Sequence, residues 1–221
     1  LYMEVKEDPV EIREIEKDGT ISHTLLELTK FVDEATGKTI LVGNAKDITE
    51  QKEHEKMLKE QAMKDPLTGI YNQIYGKMLI NRYSNSKNPF EACGMILLDI
   101  DYFKAVNDHY GHLFGDKIIL SLTDLLKKLF SDKNSVLVRA GGDEFVIFIA
   151  NISNIELVRK NVQLMQNIRN ISFEDNDCRF TCSAGVCYLP ENISGYSYDQ
   201  LFENADIALY KAKERGRNCY V

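Results

Sequence analysis

The sequence predicts an α+β domain with a mixed sheet from residue 65 onward, reached through a linker helix from a partial β-sheet. Three observations predict it. From Asp65 helical and extended patterns alternate in the order α-β-α-α-β-β-α-β-α. Ala92–Asp101 is an almost unbroken apolar run, as expected of a strand buried on both faces. Residues 10–48, rich in β-branched types, read as strands and end in a charged, helix-forming stretch. The order of the second part fits a split-βαβ, ferredoxin-like plan.

Val10–Glu16 and Thr20–Val32 flank Asp18-Gly19, a hairpin signal. A second turn is expected at residues 33–38, followed by a strand over Thr39–Ala45. Three such strands have no partner layer of their own and read as part of a larger sheet domain. Residues 50–64 are polar, and Met57, Leu58 and Ala62 give a thin apolar stripe, so they read as a linker helix. Asn72–Ser86 is expected to be helical and Ala92–Asp101 a strand. A loop and helix start follow from Phe103, and a helix over Asp116–Phe130 carries Ile118, Leu122, Leu125 and Leu129 on one face. Val136–Arg139 and Glu144–Ile149 are short strands joined by Gly141-Gly142. Ser153 with Glu156 is a capping box that opens a helix to about Asn170. Arg179–Leu189 is a strand, and Ser197 with Gln200 opens a last helix that stops at Gly216.

The formal net charge of −7 is the wrong sign for a non-specific nucleic-acid binder. It leaves room for a phosphate ligand where a metal or a local basic cluster reverses the field. Apolar runs fall short of the roughly 18 residues a membrane helix needs. The five cysteines lack a C-x-x-C spacing and read as small core residues of a reducing cytosol, which gives a cytoplasmic expectation. The chain begins at Leu1 and reads as a fragment of a longer protein.

Four segments carry chemistry. In Leu97-Leu98-Asp99-Ile100-Asp101, alternation sends both aspartates off one face of a strand end, where a divalent cation would relieve their repulsion. Solvated acids capping a strand are the other reading. Arg139-Ala140-Gly141-Gly142-Asp143-Glu144-Phe145 places two more carboxylates on a tight turn beside an apolar strand. Three or four carboxylates converging there would resemble a phosphoryl-transfer metal site. Phe103-Lys104-Ala105-Val106-Asn107-Asp108, Gly111-His112 and Gly115-Asp116 form a loop and helix start suited to phosphate. Asn107 and Asp116 are an amide and a carboxylate that complement a guanine edge, or they are helix caps. His112 is expected to be a structural hydrogen-bonding residue. Lys213 and Arg217, four apart at a helix end, could clamp a triphosphate or simply complement the helix dipole.

Together these residues resemble the GGDEF family of diguanylate cyclases. The five-residue signature stands intact as Gly141-Gly142-Asp143-Glu144-Phe145. Around it lie Asp65-Pro66-Leu67-Thr68-Gly69, the block from Asp99 to Asp116, Ser183-Ala184-Gly185-Val186, and Ala208-Leu209-Tyr210-Lys211-Ala212-Lys213 through Asn218. The resemblance covers residues 65–221 and implies a nucleotidyl-cyclase palm that condenses two GTP into cyclic di-GMP. It implies Mg²⁺, with Mn²⁺ as an alternative, held by Asp99, the Ile100 carbonyl, Asp143 and Glu144. Asp143 and Glu144 would be catalytic, Glu144 assisting the metals or taking the 3′-hydroxyl proton. Asn107 and Asp116 would read guanine, Phe103 and Lys104 would contact phosphates, and Lys213 and Arg217 would clamp their far end. It further implies a homodimer in which each chain presents one GTP. Residues 1–49 resemble the last strands of a PAS domain, ending in Asp47-Ile48-Thr49, and imply regulation by an upstream sensor.

Departures from the family are local. The family's Arg-x-x-Asp product site is replaced by Asp132 and Ser135, so no feedback site is expected there. Gln73 replaces a usual Arg, and Ala140 a bulkier residue, which bears on packing. Retention of Asp116 implies GTP over ATP. Two other functions remain open at this stage: a silent GTP-binding regulatory module, and a plain dimerisation module. Asp99, Asp143 and Glu144 together weigh against the first, and the absence of a following output domain in this sequence weighs against the second.

Overall fold

The computed structural model describes residues 2–6, 8–33, 36–85, 92–173, 178–191 and 196–221. The chain forms two units, Leu1–Gln61 and Ala62–Val221.

The first unit is an antiparallel sheet of β1 (Tyr2–Lys6), β2 (Val10–Ile15), β3 (Ile21–Asp33) and β4 (Thr39–Asp47). Sequence reading missed β1, which pairs with Thr29–Asp33 of β3, whereas β2 pairs with Ile21–Leu26. Both therefore lie along one edge of β3, with a one-residue slip in register between them. β4 pairs with Thr24–Val32 on the other edge. Pro9 falls at the slip, where a missing N–H costs no ladder bond. The Asp18-Gly19 turn forms as expected. Gly19 takes φ +87°, and the Asp18 carboxylate accepts from Thr20 N–H at 2.9 Å and Thr20 Oγ at 2.6 Å. Of the second expected turn, residues 34 and 35 lie outside the described residues. Ile15 and Leu41 are 74% and 62% exposed, so this sheet leaves large apolar side chains uncovered among the described residues. The expected linker helix is α1 (Thr49–Met63), whose start is fixed by Thr49 N–H donating to Asp47 at 2.8 Å.

The second unit continues with β5 (Tyr71–Asn72), α2 (Gln73–Ser84), β6 (Cys93–Ile100), α3 (Phe103–Tyr110), α4 (His112–Leu129), β7 (Ser135–Gly141), β8 (Glu144–Ala150), α5 (Asn154–Arg169), β9 (Cys182–Leu189) and α6 (Tyr198–Glu214). The sheet order is β5-β7-β8-β6-β9. β6 is an interior strand antiparallel to both neighbours, while β5 is parallel to β7, so the sheet is mixed as expected. Alternation along β6 divides the core. Ile96, Leu98 and Ile100 pack with Ile118, Leu122 and Leu126 of α4 and Leu157 and Leu164 of α5. Cys93, Met95 and Leu97 pack on the other side with Ile80 of α2 and Leu201, Ala205 and Leu209 of α6. Each fully buried Leu or Ile contributes about 1.5–3 kcal/mol of hydrophobic stabilisation. No helix among the described residues is long and apolar enough to cross a membrane.

Several boundaries differ from expectation. α4 begins at His112, four residues before the expected start, because Gly111 at φ +85° ends α3 and re-aims the chain. Asn107 and Asp116 therefore lie inside helices and cap neither. β9 begins at Cys182 rather than Arg179. Gly141 belongs to β7, and the hairpin turn is Gly142-Asp143 with Gly142 at φ +41°. The full capping box forms at Ser197 and Gln200, whereas Ser153 accepts only from Glu156 N–H. Ser86, the expected end of α2, lies outside the described residues.

Candidate active site

The site sits at the end of β6. Asp99 lies directly opposite Glu144 of β8 and Ser183 of β9. Opposed residues hold their β-carbons about 5 Å apart, which makes Asp99 and Glu144 cross-strand neighbours. Asp143 occupies the adjoining turn, and its carbonyl accepts from Ile100 N–H at 3.3 Å, drawing the turn onto the strand end. Burial raises the Asp99 carboxyl above its ordinary range, Asp143 and Asp101 push it further, and Lys213 opposes them. Glu144 is raised by burial and then by Asp99, with Asp143 and Asp206 adding to it. Asp206, on α6, was not anticipated from the sequence.

Lys213 Nζ lies 2.9 Å from Asp99 Oδ2, with the Asp99 side chain only 12% exposed. Among the described residues no group of three His, Cys, Asp or Glu side chains stands close enough to hold a metal ion by itself. The ammonium supplies the positive charge that the buried carboxylate requires. The donors gathered here are carboxylate and carbonyl oxygens of hard character, the set that suits Mg²⁺, and burial raises the Asp99 and Glu144 carboxyls, a cost that a divalent cation would relieve.

Asp101 has a different role from the expected cation partner of Asp99. Its carboxylate accepts from Ser183 Oγ at 2.6 Å, Thr181 Oγ at 2.7 Å and Asn218 N–H at 3.1 Å. Its acceptor capacity is committed to the start of β9 and to the chain after α6. A strand period could place Asp101 on a face, but could not show the three donors that occupy it.

The nucleotide-facing candidates lie on α3 and α4. Asn107 Oδ1 is buried without a hydrogen-bond partner, an orphaned acceptor. Gly115 of α4 makes room for it: a β-carbon there would fall inside Asn107 Oδ1 and lie 3.1 Å from the Phe103 ring. Asp116 is half-buried on the same helix, and Lys104 is exposed. Tyr102, the residue before α3, has left-handed φ 57° and provides no side-chain cap. The first N–H groups of α3, from Phe103 and Lys104, therefore lack the usual side-chain acceptor. His112 is exposed, and its imidazole makes no hydrogen bond among the described residues, contrary to expectation. Gly115→Ala is expected to displace Asn107 and weaken guanine-nucleotide binding at least tenfold, the cost of about 1.4 kcal/mol, in a calorimetric titration.

Lys213 and Arg217 do not share a helix face. α6 ends at Glu214, and Gly216, Arg217 and Asn218 follow with φ of 102°, 64° and 52°. Arg217 reaches the site from this turn, with its Nη1 3.2 Å from Tyr102 Oη. The spacing of four therefore does not place the two residues on one helix face, and the turn after α6 sets the position of Arg217.

The entrance of the unit is tied to the signature turn. Asp65 accepts from Thr68 N–H at 2.9 Å, Thr68 Oγ at 2.7 Å and Arg139 Nη1 at 3.0 Å. Arg139 also donates Nε and Nη2 to the Gly142 carbonyl at 2.9 and 2.7 Å. Burial alone would raise the Asp65 carboxyl, but the Thr68 and Arg139 bonds outweigh it and hold it low. Its stabilisation is therefore present above the unfolded carboxylate range and lost as pH falls through the lower folded value. Asp65→Asn is expected to flatten this acid limb, lowering the urea midpoint at pH 6 by an amount that shrinks as pH falls below the unfolded carboxylate range.

Residues 62–219 match the family model described as "Diguanylate cyclase, GGDEF domain". The chain is 33% identical over 192 residues to cyclic di-GMP phosphodiesterase PdeR of Escherichia coli, which covers 85% of this chain and 28% of that protein. It is 34% identical over 161 residues to diguanylate cyclase DgcS of Shewanella oneidensis, covering 72% of this chain and 52% of that protein. The chain thus spans about half or less of the length of these curated relatives. Among solved structures, the coiled coil and GGDEF domain of DgcB from Caulobacter crescentus, in complex with c-di-GMP, superposes with a TM-score of 0.71 at 23% identity. It covers 78% of this chain and 92% of that one, and supports the fold.

Proposed function

The chain belongs to the GGDEF, diguanylate cyclase, family, and from that premise we propose that it condenses two GTP into cyclic di-GMP with release of two pyrophosphates. The observation that carries this reading is the opposition of Asp99 and Glu144 beside the Asp143 turn, with Lys213 already bound to Asp99. A bare nucleotide binder has no use for three acids in one place, since they repel the triphosphate.

Asp99, the Ile100 carbonyl, Asp143 and Glu144 are the groups to hold Mg²⁺ or Mn²⁺. The bound cation supplies charge neutralisation on the triphosphate. Asn107 offers its unpaired amide oxygen, and Asp116 its carboxylate, to the donors on the guanine edge. Adenine lacks the N1–H and N2–H₂ donors and leaves the Asp116 carboxylate poorly matched, so GTP is selected over ATP. The N–H groups of Phe103 and Lys104 bind phosphate at the start of α3. Lys213 and Arg217 hold the far end of the chain of phosphates. Glu144, opposite Asp99, would assist the cation or take the 3′-hydroxyl proton. Each 3′-oxygen attacks the α-phosphorus of the GTP on a second copy in line, so turnover requires a homodimer, and most of the acceleration comes from positioning. Product feedback at Asp132 and Ser135 is absent in this reading, as Asp132 is paired with Lys160 at 2.9 Å. The first unit is read as the closing strands of a PAS-type sensor that regulates a cytoplasmic enzyme.

Chromatography of products after incubation with GTP and Mg²⁺, alongside ATP, tests the proposal. Cyclic di-GMP from GTP and none of the adenine counterpart is the expected result. GTP binding without pyrophosphate release, at concentrations where the protein is dimeric, would establish a silent regulatory module in its place.

A further inference from the structure

Three of the four non-glycine residues with positive φ among the described residues meet at one point: Tyr102, Arg217 and Asn218. The left-handed region is unfavourable for side chains of this kind and persists only where surrounding contacts over-determine it. Here the contacts are visible. Asn218 is held by Arg169 at the end of α5, whose Nε donates to Asn218 Oδ1 at 2.8 Å and whose Nη2 donates to the Asn218 carbonyl at 2.7 Å. Asp101 takes the Asn218 N–H. The segment after α6 is thus pinned at Asn218 by two charged groups from distant parts of the chain. What that pinning presents is Arg217. Its guanidinium carbon lies 4.6 Å from the centre of the Tyr102 ring, and its Nη1 lies 3.2 Å from the Tyr102 hydroxyl.

Tyr102 is 65% exposed, so its ring is not part of the core. Its side chain does not cap α3. Its left-handed backbone stands it at the start of α3, beside the N–H groups of Phe103 and Lys104. The guanidinium lies over the ring, and the Tyr102 hydroxyl accepts from one of its edge nitrogens. The remaining edges of the guanidinium stay available to an anion. An unsupported arginine in this place would sample many rotamers and lose more freedom on binding.

We propose that Tyr102 is a positioning residue for the phosphate clamp. It holds Arg217 in the orientation that meets the terminal phosphate of the nucleotide, with Asp101 and Arg169 fixing the strained segment that carries Arg217. The proposal rests on the reading of Arg217 as a phosphate-binding residue. It predicts an effect that depends on phosphate chain length, which a structural role would not produce.

The test is calorimetric titration of the whole chain with Mg²⁺ and a GTP analogue blocked at the α–β bond, and with GMP. Tyr102→Ala, Tyr102→Phe, Arg217→Ala and the Tyr102→Ala/Arg217→Ala pair are compared. Tyr102→Ala is expected to weaken the GTP analogue about 3- to 10-fold, the scale of a cation–π contact with one charged hydrogen bond, and to leave GMP unchanged. Tyr102→Phe, which keeps the ring, recovers part of the loss. In the Arg217→Ala background Tyr102→Ala costs nothing more. An equal loss in both backgrounds, or an equal loss for GMP, overturns the positioning role while leaving the clamp intact. An Arg217→Ala variant that binds the GTP analogue as tightly as the parent overturns the clamp, and the proposal with it.

Discussion

Asp99→Asn is expected to lower turnover about 10³-fold or more, since charge stabilisation by a catalytic cation is worth several kcal/mol and each 1.4 kcal/mol is tenfold. The substitution keeps the size of the side chain and its place opposite Glu144, and removes only the negative charge. GTP binding through Asn107 and Asp116 lies on other elements and is expected to change only a few-fold, so the loss falls on kcat and not on KM. Stability should move the other way. Burial raises the Asp99 carboxyl, so its ionised form costs the folded state stability. That cost is absent below the unfolded carboxylate range and complete above the raised folded value, hence present at neutral pH. Lys213 is 32% exposed and turns to water when its partner is neutral. The variant should therefore melt no lower than the parent at pH 7. A melting temperature several degrees lower would mean that the Asp99–Lys213 pair stabilises the fold. A kcat within tenfold of the parent would remove Asp99 from the metal site.

Gly185→Ala is expected to be the most damaging small substitution in the second unit. Gly185 lies on β9 opposite Leu97. A β-carbon there would fall inside the Ala205 carbonyl and the Leu209 amide of α6, and lie 2.9 Å from the Leu209 Cα. These are backbone atoms of a helix that cannot rotate aside as a side chain can. α6 must move outward, which opens the core that Ala205 and Leu209 share with Met95 and Leu97. Overpacking of a core costs about 1–3 kcal/mol, and the backbone clash places this case at about 3 kcal/mol. The urea midpoint measures it directly, and an unchanged midpoint would mean that α6 packs less closely on β9 than described. The same shift moves Lys213, on the last turn of α6, away from Asp99, so activity should fall together with stability.

The alternation of elements from Asp65 onward was legible because each long element states its period locally. β6 is apolar throughout, and α4 repeats its apolar residues at helical spacing. The short elements were not legible in this way. β5 has two residues and no period to read, and β1 precedes the hairpin signals that marked its neighbours. The start of α4 was placed late because Asp116 looked like a cap, while the geometry that decides it is the positive φ of Gly111.

The candidate site divides along the same line. The sequence by itself determined which residue types stand at the strand end, the signature turn, α3 and the chain after α6, because motif spacing is local and the chain carries it whole. Only the tertiary structure decided what each side chain is committed to. Asp99 and Asp101 are two residues apart and chemically alike. One faces Glu144 and Lys213, and the other is occupied by Thr181, Ser183 and Asn218, which lie 80, 82 and 117 residues away. Lys213 engages one oxygen of Asp99, whereas both oxygens of Asp101 are taken by donors. Donors brought from that distance are fixed by how the strands and helices pack, which no local period records.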